Sequence, residues 1–569
     1  MAASCLHLAL LLCLIPATVA SPRSLRKSPA DMVFALDAAS RSPAGASGPT
    51  TVFEVDRPLR PPPGSSGPCS TRLLSASFGS AFTKPPATAA YTPPRCLAAA
   101  GGRASAISLA VLEWRAACRG VQYDRIFGVW LGGAELLRGC TAEPSRDGVA
   151  WSVSKDVTRY ASLLAAGGES TLAVYLGNSL SSNLTGVYHA NVTLHLYFFR
   201  RSTPKRPPLA TGAADLIVPV SRGLPLDDGL WYKIHSASDV QSATVTLPRN
   251  AYRAVLELYV SFHGDDEFWY YKHGASAADG PFREVTVRVD GVLAGAAWPC
   301  PVVYTGGFDP LLWRPITGVG SFDLPTYDIE LTPLLGKLLN GKPHELGFAV
   351  TNALDVWYVD ANLHLWLDPG SAATTAGLIG YVAPAANTTS SQSGGPVDTT
   401  YHTTAGRYFS AAGWVKSSSY GNVTTNATQT FAFDNTVTFE TLSQTTVARA
   451  GVRATGHDGR ALYTLQTERT FPLLVEYQSG IITVVHGLEE TATMSGGGRW
   501  SSGPAYRSLR TTQSSTVEEE ERGSSRQTYR YEATDRCYSR NVTSSGDRIV
   551  SDQSSEVCVK AAGAGLVRN

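Results

Sequence analysis

Two places in this chain bring acids together in a way that could do chemistry. The first is Asp124-Arg125, between Cys118 and a strand-like run that begins at Ile126. An acid on a loop that strands hold at both ends can be aimed at a substrate. The adjacent guanidinium would keep that acid ionised or bind a substrate oxygen. Without further context the pair reads as a structural ion pair. The second place is His263-Gly264-Asp265-Asp266-Glu267-Phe268-Trp269-Tyr270-Tyr271, after the apolar stretch Val255 to Phe262. Glu267 closes a run of three acids, and a further acid, Asp279, lies just before Gly280-Pro281-Phe282-Arg283. A solvated turn or a calcium-binding loop would equally explain Asp265 to Glu267. Two carboxylates suit a hydrolysis in which one orients or activates water and the other hydrogen-bonds the group being cut.

The elements that must position these acids are strands. From Tyr188 to Phe198 the apolar set is Tyr188, Ala190, Val192, Leu194, Leu196 and Phe198. His189, Asn191, Thr193, His195 and Tyr197 form the opposite face, the pattern of a strand with one buried side. Val285, Val287 and Val289 alternate with polar residues and run into Asp290-Gly291, a hairpin signal. Trp357, Val359, Ala361, Leu363, Leu365 and Leu367 form a third buried face. Two regions echo each other: Asp156-Val157-Thr158 through Ala190 to Tyr197, and Asp328-Ile329-Glu330 through Ala361 to Trp366. The near-constant offset between them predicts a duplicated β-domain.

The boundaries follow from composition. Residues 1–20 read as a signal peptide: Leu8 to Val19 are almost wholly apolar, and Thr18-Val19-Ala20 supplies small residues for cleavage. Residues 21–55 read as a flexible leader, 56–203 as a first β-sandwich, 204–212 as a Pro-rich linker and 213–370 as a second sandwich. Residues 371–398, rich in Ala, Thr, Ser and Gly, read as a linker or a site of proteolytic processing. A third β-rich domain fills 399–569, with alternation as in Gln429 to Phe433. Glycine (53) and proline (34) outnumber methionine (3) heavily, which suits short strands and many turns. The expected fold is all-β: two tandem jelly-roll-like sandwiches and a β-rich C-terminal domain.

A net charge of +1 gives no support to nucleic acid or an anionic membrane as partner. The chain has no H-E-x-x-H, G-x-S-x-G, Walker or dinucleotide glycine motif, so metalloprotease, α/β-hydrolase and nucleotide-enzyme readings lose support. Beyond the signal peptide, Cys69, Cys96, Cys118, Cys140, Cys300, Cys537 and Cys558 are widely spaced, which suits disulfides in an oxidising compartment. Cys537 and Cys558 form one expected pair. Cys69, Cys96, Cys118 and Cys140 form two more, with three connectivities open, and Cys300 is left over. Six sequons, at Asn183, Asn191, Asn387, Asn422, Asn426 and Asn541, predict glycosylation and a surface position.

The segment from Leu112-Glu113-Trp114-Arg115 through Gln122-Tyr123-Asp124-Arg125-Ile126-Phe127-Gly128 to Ser154-Lys155-Asp156-Val157-Thr158-Arg159-Tyr160 resembles the A-type peptide:N-glycanases of plants. The likeness continues through Tyr304-Thr305-Gly306-Gly307, Leu312-Trp313-Arg314-Pro315-Ile316, Gly320 to Pro325 and Asp360 to Leu367. A weaker resemblance runs to the bacterial F-type enzyme, which has two jelly-roll domains and a catalytic aspartate in a Cys-x-x-x-Asp-Arg loop. Here Cys118 stands further from Asp124. The resemblance implies a glycoamidase that hydrolyses the amide between asparagine and the first N-acetylglucosamine of N-glycans, with no metal or cofactor. It implies N-glycosylated peptides or denatured glycoproteins as substrates, Asp124 as catalytic acid, and Glu267 or Asp279 beside it. Trp269, Tyr270 and Trp313 are candidates to stack on sugar faces, and Arg125 and Arg314 to bind sugar or peptide oxygens. The expected location is the secretory pathway, ending outside the cell, in the wall or in the vacuole. The alternative is a lectin-like sandwich pair without catalysis.

Overall fold

The computed structural model describes residues 49–200, 212–274, 280–395, 398–497, 505–518 and 522–557. The expected signal peptide, most of the leader, the first linker except its last residue, and Asp279 lie outside the described residues.

The first unit comprises β1 (Thr50–Val52), β2 (Ser66–Phe78), β3 (Ala87–Tyr91), β4 (Ile107–Arg119), β5 (Ile126–Leu131), β6 (Ala134–Cys140), β7 (Val149–Asp156), β8 (Ser170–Leu176) and β9 (Val187–Phe198). Its two sheets run β1-β7-β4-β9-β2 and β3-β8-β5-β6. The second unit comprises β10 (Leu216–Val220), β11 (Tyr232–Ile234), β12 (Gln241–Val245), β13 (Ala251–Phe262), β14 (Val285–Val289), β15 (Val292–Ala297), β16 (Thr326–Glu330), β17 (His344–Val350) and β18 (Trp357–Leu367). Its sheets run β10-β18-β13-β16, with β11 also on β18, and β12-β17-β14-β15.

The two orders superimpose: β7-β4-β9-β2 answers to β16-β13-β18-β10, and β3-β8-β5-β6 to β12-β17-β14-β15. The likeness extends to single bonds. Thr158 Oγ1 accepts from Ala110 N, and Thr332 Oγ1 accepts from Ala254 N. Val157 N donates to Ala110 O, and Leu331 N to Ala254 O. A short helix follows each threonine, α1 (Ala161–Leu164) and α2 (Leu335–Leu338). The duplication read from the residue pattern is thus a duplication of topology.

Local patterning explains the strands. On β9 the six predicted apolar residues are all buried, while the His189 face is exposed or half-buried. Asp290 and Gly291 join β14 to β15 with φ of 48° and 77°, the left-handed pair that a tight hairpin requires. β18 departs from the simple pattern. Its predicted apolar face is buried except for half-buried Leu367, yet Asp360, Asn362 and His364 on the other face are also buried. They meet the first sandwich. Trp130 Nε1 donates to Asp360 (2.7 Å). Asn362 donates to Glu135 O (2.7 Å) and accepts from Glu135 N (3.1 Å). His364 Nε2 lies 3.0 Å from Glu257, which also engages Tyr160 and Arg159 across the junction. Burial raises the Glu257 carboxyl, but the Arg159 charge and the His364 bond outweigh it and hold Glu257 below the usual carboxylate range.

A third sheet of eleven strands runs from β19 (Thr375–Val382) to β29 (Arg548–Ser555). One face covers the second sandwich. Phe431 stacks on Trp298 at 5.0 Å, and Gln429 exchanges hydrogen bonds with Ala296 N and O. Two segments read as unstructured are corrected here. Within the stretch read as linker, Thr375–Val382 and Asn387–Ser393 are strands that pair with Thr400–Ser417. At the end of the stretch read as leader, β1 pairs in parallel with β7, and Phe53 bonds to Pro315 and Thr317. In both, backbone pairing supplies order that side-chain composition does not advertise.

The cysteine expectation is corrected as well. Cys69 and Cys96 form a disulfide, whereas Cys118 and Cys140 are free, as is Cys300. Cys118 and Cys140 lie on strands of different sheets with their thiols in the core, where they pack as small apolar groups. Burial pushes the Cys118 and Cys300 thiols up to about 12, which makes them poor nucleophiles. Cys537 is disulfide-bonded, and Cys558 lies outside the described residues. Of the sequon asparagines, Asn183, Asn387, Asn422 and Asn426 are exposed, and Asn191 and Asn541 half-buried.

Candidate active site

The turn 120–125 that joins β4 to β5 is held from every side. Gly120 has φ of 111°, and a Cβ there would press on Thr185 and Gly186. Gln122 is wholly buried; its amide donates to Ser179 O (2.9 Å), and its carbonyl oxygen accepts from Arg125 (2.6 Å) and Tyr123 N (3.0 Å). Arg125 N donates to Thr141 Oγ1, and Thr141 N returns a bond to Arg125 O. This turn leaves Asp124 only 9% exposed. Asp124 Oδ2 accepts from Gly306 N (3.1 Å) and faces the Cys140 thiol at 3.5 Å. Burial and the Asp124 charge push that thiol well above its ordinary range, so it stays protonated as a weak donor.

The connection from β13 to β14 carries Glu267, 7% exposed, in a tight turn after Gly264. The three consecutive acids have separate fates. Asp266 is wholly buried and accepts from Arg283 (2.7 Å), Trp357 Nε1 (2.6 Å) and Leu354 N (2.7 Å). It pins the turn, while Asp265 and Glu267 face a cavity of about 690 Å³. Asp124, Arg125, His263, Asp228, Tyr358 and Trp231 line the same cavity. Asp124 and Glu267 therefore meet at one site, each delivered by the equivalent connection of its own sandwich.

Four other predicted residues, Trp269, Tyr270, Trp313 and Arg314, stand elsewhere. Trp269 is buried against Phe262 and Trp357, and its neighbour Tyr270 is wholly buried too. Trp313 is buried; its indole donates to Gly307 O (2.7 Å) and meets His486 edge-on. Neither indole lines the cavity. Buried Arg314 donates to the carbonyls of Glu143 (2.9 Å) and Pro144 (3.4 Å). They brace the loops around the site, the rings packed against other aromatics and the guanidinium bonded to backbone carbonyls.

Two residues were not singled out from sequence. Glu143, on the connection after β6, is buried, and a Cβ at Gly306 would collide with both its carboxylate and that of Asp124. Gly306 is thus a cradle for two acids. A glycine pair beside an aromatic, Tyr304-Thr305-Gly306-Gly307, is the only trace of this in the sequence. His263 stacks between Tyr304 and Tyr358 and bonds to Ser261.

A family model for peptide N-acetyl-β-D-glucosaminyl asparaginase amidase A matches residues 58–384. The peptide-N4-(N-acetyl-β-glucosaminyl)asparagine amidase A of Prunus dulcis is 42% identical over 526 residues, covering 86% of this chain and 90% of that one. Among solved structures, PNGase F, a glycosylasparaginase from Flavobacterium meningosepticum, aligns with 53% of this chain and 96% of its own at 14% identity, with a TM-score of 0.36. A second structure, of a peptide-N(4)-(N-acetyl-β-D-glucosaminyl) asparagine amidase, gives 53%, 97%, 14% and 0.34. Family match and extended identity together place this chain in the peptide N-acetyl-β-D-glucosaminyl asparaginase amidase A family.

Proposed function

We propose that this protein is a glycoamidase that hydrolyses the amide between asparagine and the first N-acetylglucosamine of N-glycans on glycopeptides. Water adds to the side-chain carbonyl and the C–N bond breaks. Asparagine becomes aspartate, and the glycan leaves as a glycosylamine that then loses ammonia to a second water. Asp124 orients and activates the attacking water. Its anchors, the Gly306 N–H and the Cys140 thiol, hold the carboxylate in place at the cavity for that role. Glu267 hydrogen-bonds the amide or the first sugar, and Arg125 binds a substrate oxygen. The observation that carries the reading is the shared cavity, in which carboxylates of two sandwiches meet.

By family resemblance the substrates are short or denatured glycopeptides, core-fucosylated plant glycans included. The six sequons and the apolar N-terminal run support passage through the secretory pathway, ending outside the cell, in the wall or in the vacuole. Among the described residues no helix is long and apolar enough to cross a membrane. A lectin without catalysis is not favoured, because the matching family model and the 42% identical relative are both amidases.

The test is mass spectrometry of an N-glycopeptide incubated with the purified protein at acidic pH. Aspartate in place of asparagine supports the glycoamidase. An intact bound glycopeptide would support the lectin. N-acetylglucosamine left on the peptide would mean an endoglycosidase and overturn the assignment.

A further inference from the structure

Phe82 lines the same cavity yet is 57% exposed. Exposure alone would be ordinary, but this ring is exposed into the lining of the cavity that holds both acids. The backbone holds it deliberately. Asn178 O accepts from both Ala81 N (2.9 Å) and Phe82 N (2.7 Å). Asn178 is itself buried, with its amide donating to Phe78 O and Gly186 O at 3.0 Å each. The next residue, Thr83, has φ of 56°, a costly conformation for a β-branched side chain. A tied and strained turn thus fixes an apolar ring at the rim.

The ring continues an aromatic wall. A Cβ at Gly177 would touch both Phe82 (3.5 Å) and Tyr175 (3.3 Å), so the glycine leaves the two rings as one surface. Tyr175 meets Trp231 edge-on at 5.6 Å, and Trp231 stacks on Tyr358 at 4.8 Å. Asp228 and Lys272 add polar groups to the lining. Aromatic faces with polar edges complement pyranose rings, which present C–H groups on their faces and hydroxyls around their rims. The peptide around a glycosylated asparagine varies from substrate to substrate, whereas the inner sugars repeat. A single rigid ring suits the constant part.

We propose that Phe82 is a specificity-determining platform that stacks on a sugar of the glycan beyond the N-acetylglucosamine whose bond is cut. The proposal rests on the glycoamidase reading of this cavity. The test compares Phe82→Ala, Phe82→Tyr and the unaltered protein on one peptide carrying either a full N-glycan or a single N-acetylglucosamine. Phe82→Ala should raise KM about tenfold for the full glycan, with kcat within about twofold, and leave the single-sugar substrate unaffected. Phe82→Tyr should restore the ordinary KM. An equal rise for both substrates, a rise that grows with peptide length, or no rise would each overturn the platform. Calorimetric binding of the intact glycopeptide to Asp124→Asn protein, with and without Phe82→Ala, reads the same contact without turnover. A platform confirmed there alongside an inactive unaltered protein would instead reject the glycoamidase reading.

Discussion

In the first sandwich, β4 and β5 are joined by residues 120–125. In the second, the equivalent strands β13 and β14 are joined by residues 263–284. The short connection has little freedom: glycine, buried glutamine and the Arg125–Thr141 exchange dictate its path. It holds Asp124 rigidly at the cavity floor. The long connection needs an internal brace, the buried Asp266–Arg283 pair, before it can present Glu267. The same contrast appears between β9 and β18. They occupy equivalent places, but β9 keeps one wet face, whereas β18 is buried on both because the first sandwich lies against it. Duplication supplies two copies of a scaffold, and docking one copy on the other turns matching loops into the two halves of a site. The difference teaches that a short connection is fixed by its own turn, whereas a long one needs a buried ion pair to present its acid; on the proposed roles the first carries the reacting group and the second positions the substrate.

That division can be broken. Asp124→Asn should lower kcat by roughly 10³-fold or more, and Glu267→Gln by about 10²-fold with a rise in KM, in steady-state assays on one glycopeptide. A larger loss from Glu267→Gln would reverse the assignment of roles. Gly306→Ala places a methyl group on the Asp124 and Glu143 carboxylates. It should cost about 10²-fold in activity while circular dichroism stays unchanged. Full activity in this variant would mean that the cradle does not set the Asp124 geometry.

The junction itself is next. Glu257→Ala strips Arg159, His364 and Tyr160 of a shared buried carboxylate, and should lower unfolding free energy in denaturant titrations by about 3–5 kcal/mol. A loss under about 1 kcal/mol would mean that the Glu257 network does not hold the junction together. The smallest effect is expected at Glu54, which accepts from Gly320 N and Phe322 N and ties the first strand to the second unit. Burial outweighs the Gly320 bond and, with the Asp56 and Asp323 charges, pushes its carboxyl from 4.5 up to about 8. A raised carboxyl favours folding most below its unfolded value, and that advantage fades as pH rises through about 8. Melting temperature should therefore fall between pH 6 and pH 9, and fall less in Glu54→Gln. Parallel curves for the two proteins would remove Glu54 as the cause.

Much of this was legible beforehand. Period-two alternation marked β9, β14 and β18, Asp290-Gly291 marked a hairpin, and the paired Asp156 and Asp328 regions marked a repeat, because each signal is local to one strand or turn. The Asp124 turn stood out through its family resemblance, since its residues alone read as a structural ion pair. The partners of Asp124 did not. Gly306 comes from a connection far along the chain, and Glu143 is placed by a loop whose carbonyls accept from Arg314. Trp269, Trp313 and Arg314 have the chemistry of sugar-binding residues, and only packing revealed them as braces. Cys69, Cys96, Cys118 and Cys140 allowed three pairings from spacing, and only the fold shows that Cys69 and Cys96 are bridged while Cys118 and Cys140 stay free in the core.

The amino-acid pattern by itself determined a strand-rich chain with a repeated β-domain, and family resemblance pointed to one acid before a strand. The tertiary structure alone decided what that acid faces. Hydrophobic periodicity acts between near neighbours and is written in order along the chain. A site built from equivalent loops of two docked sandwiches depends on which surfaces meet, and burial on both faces of β18 is settled only when they do.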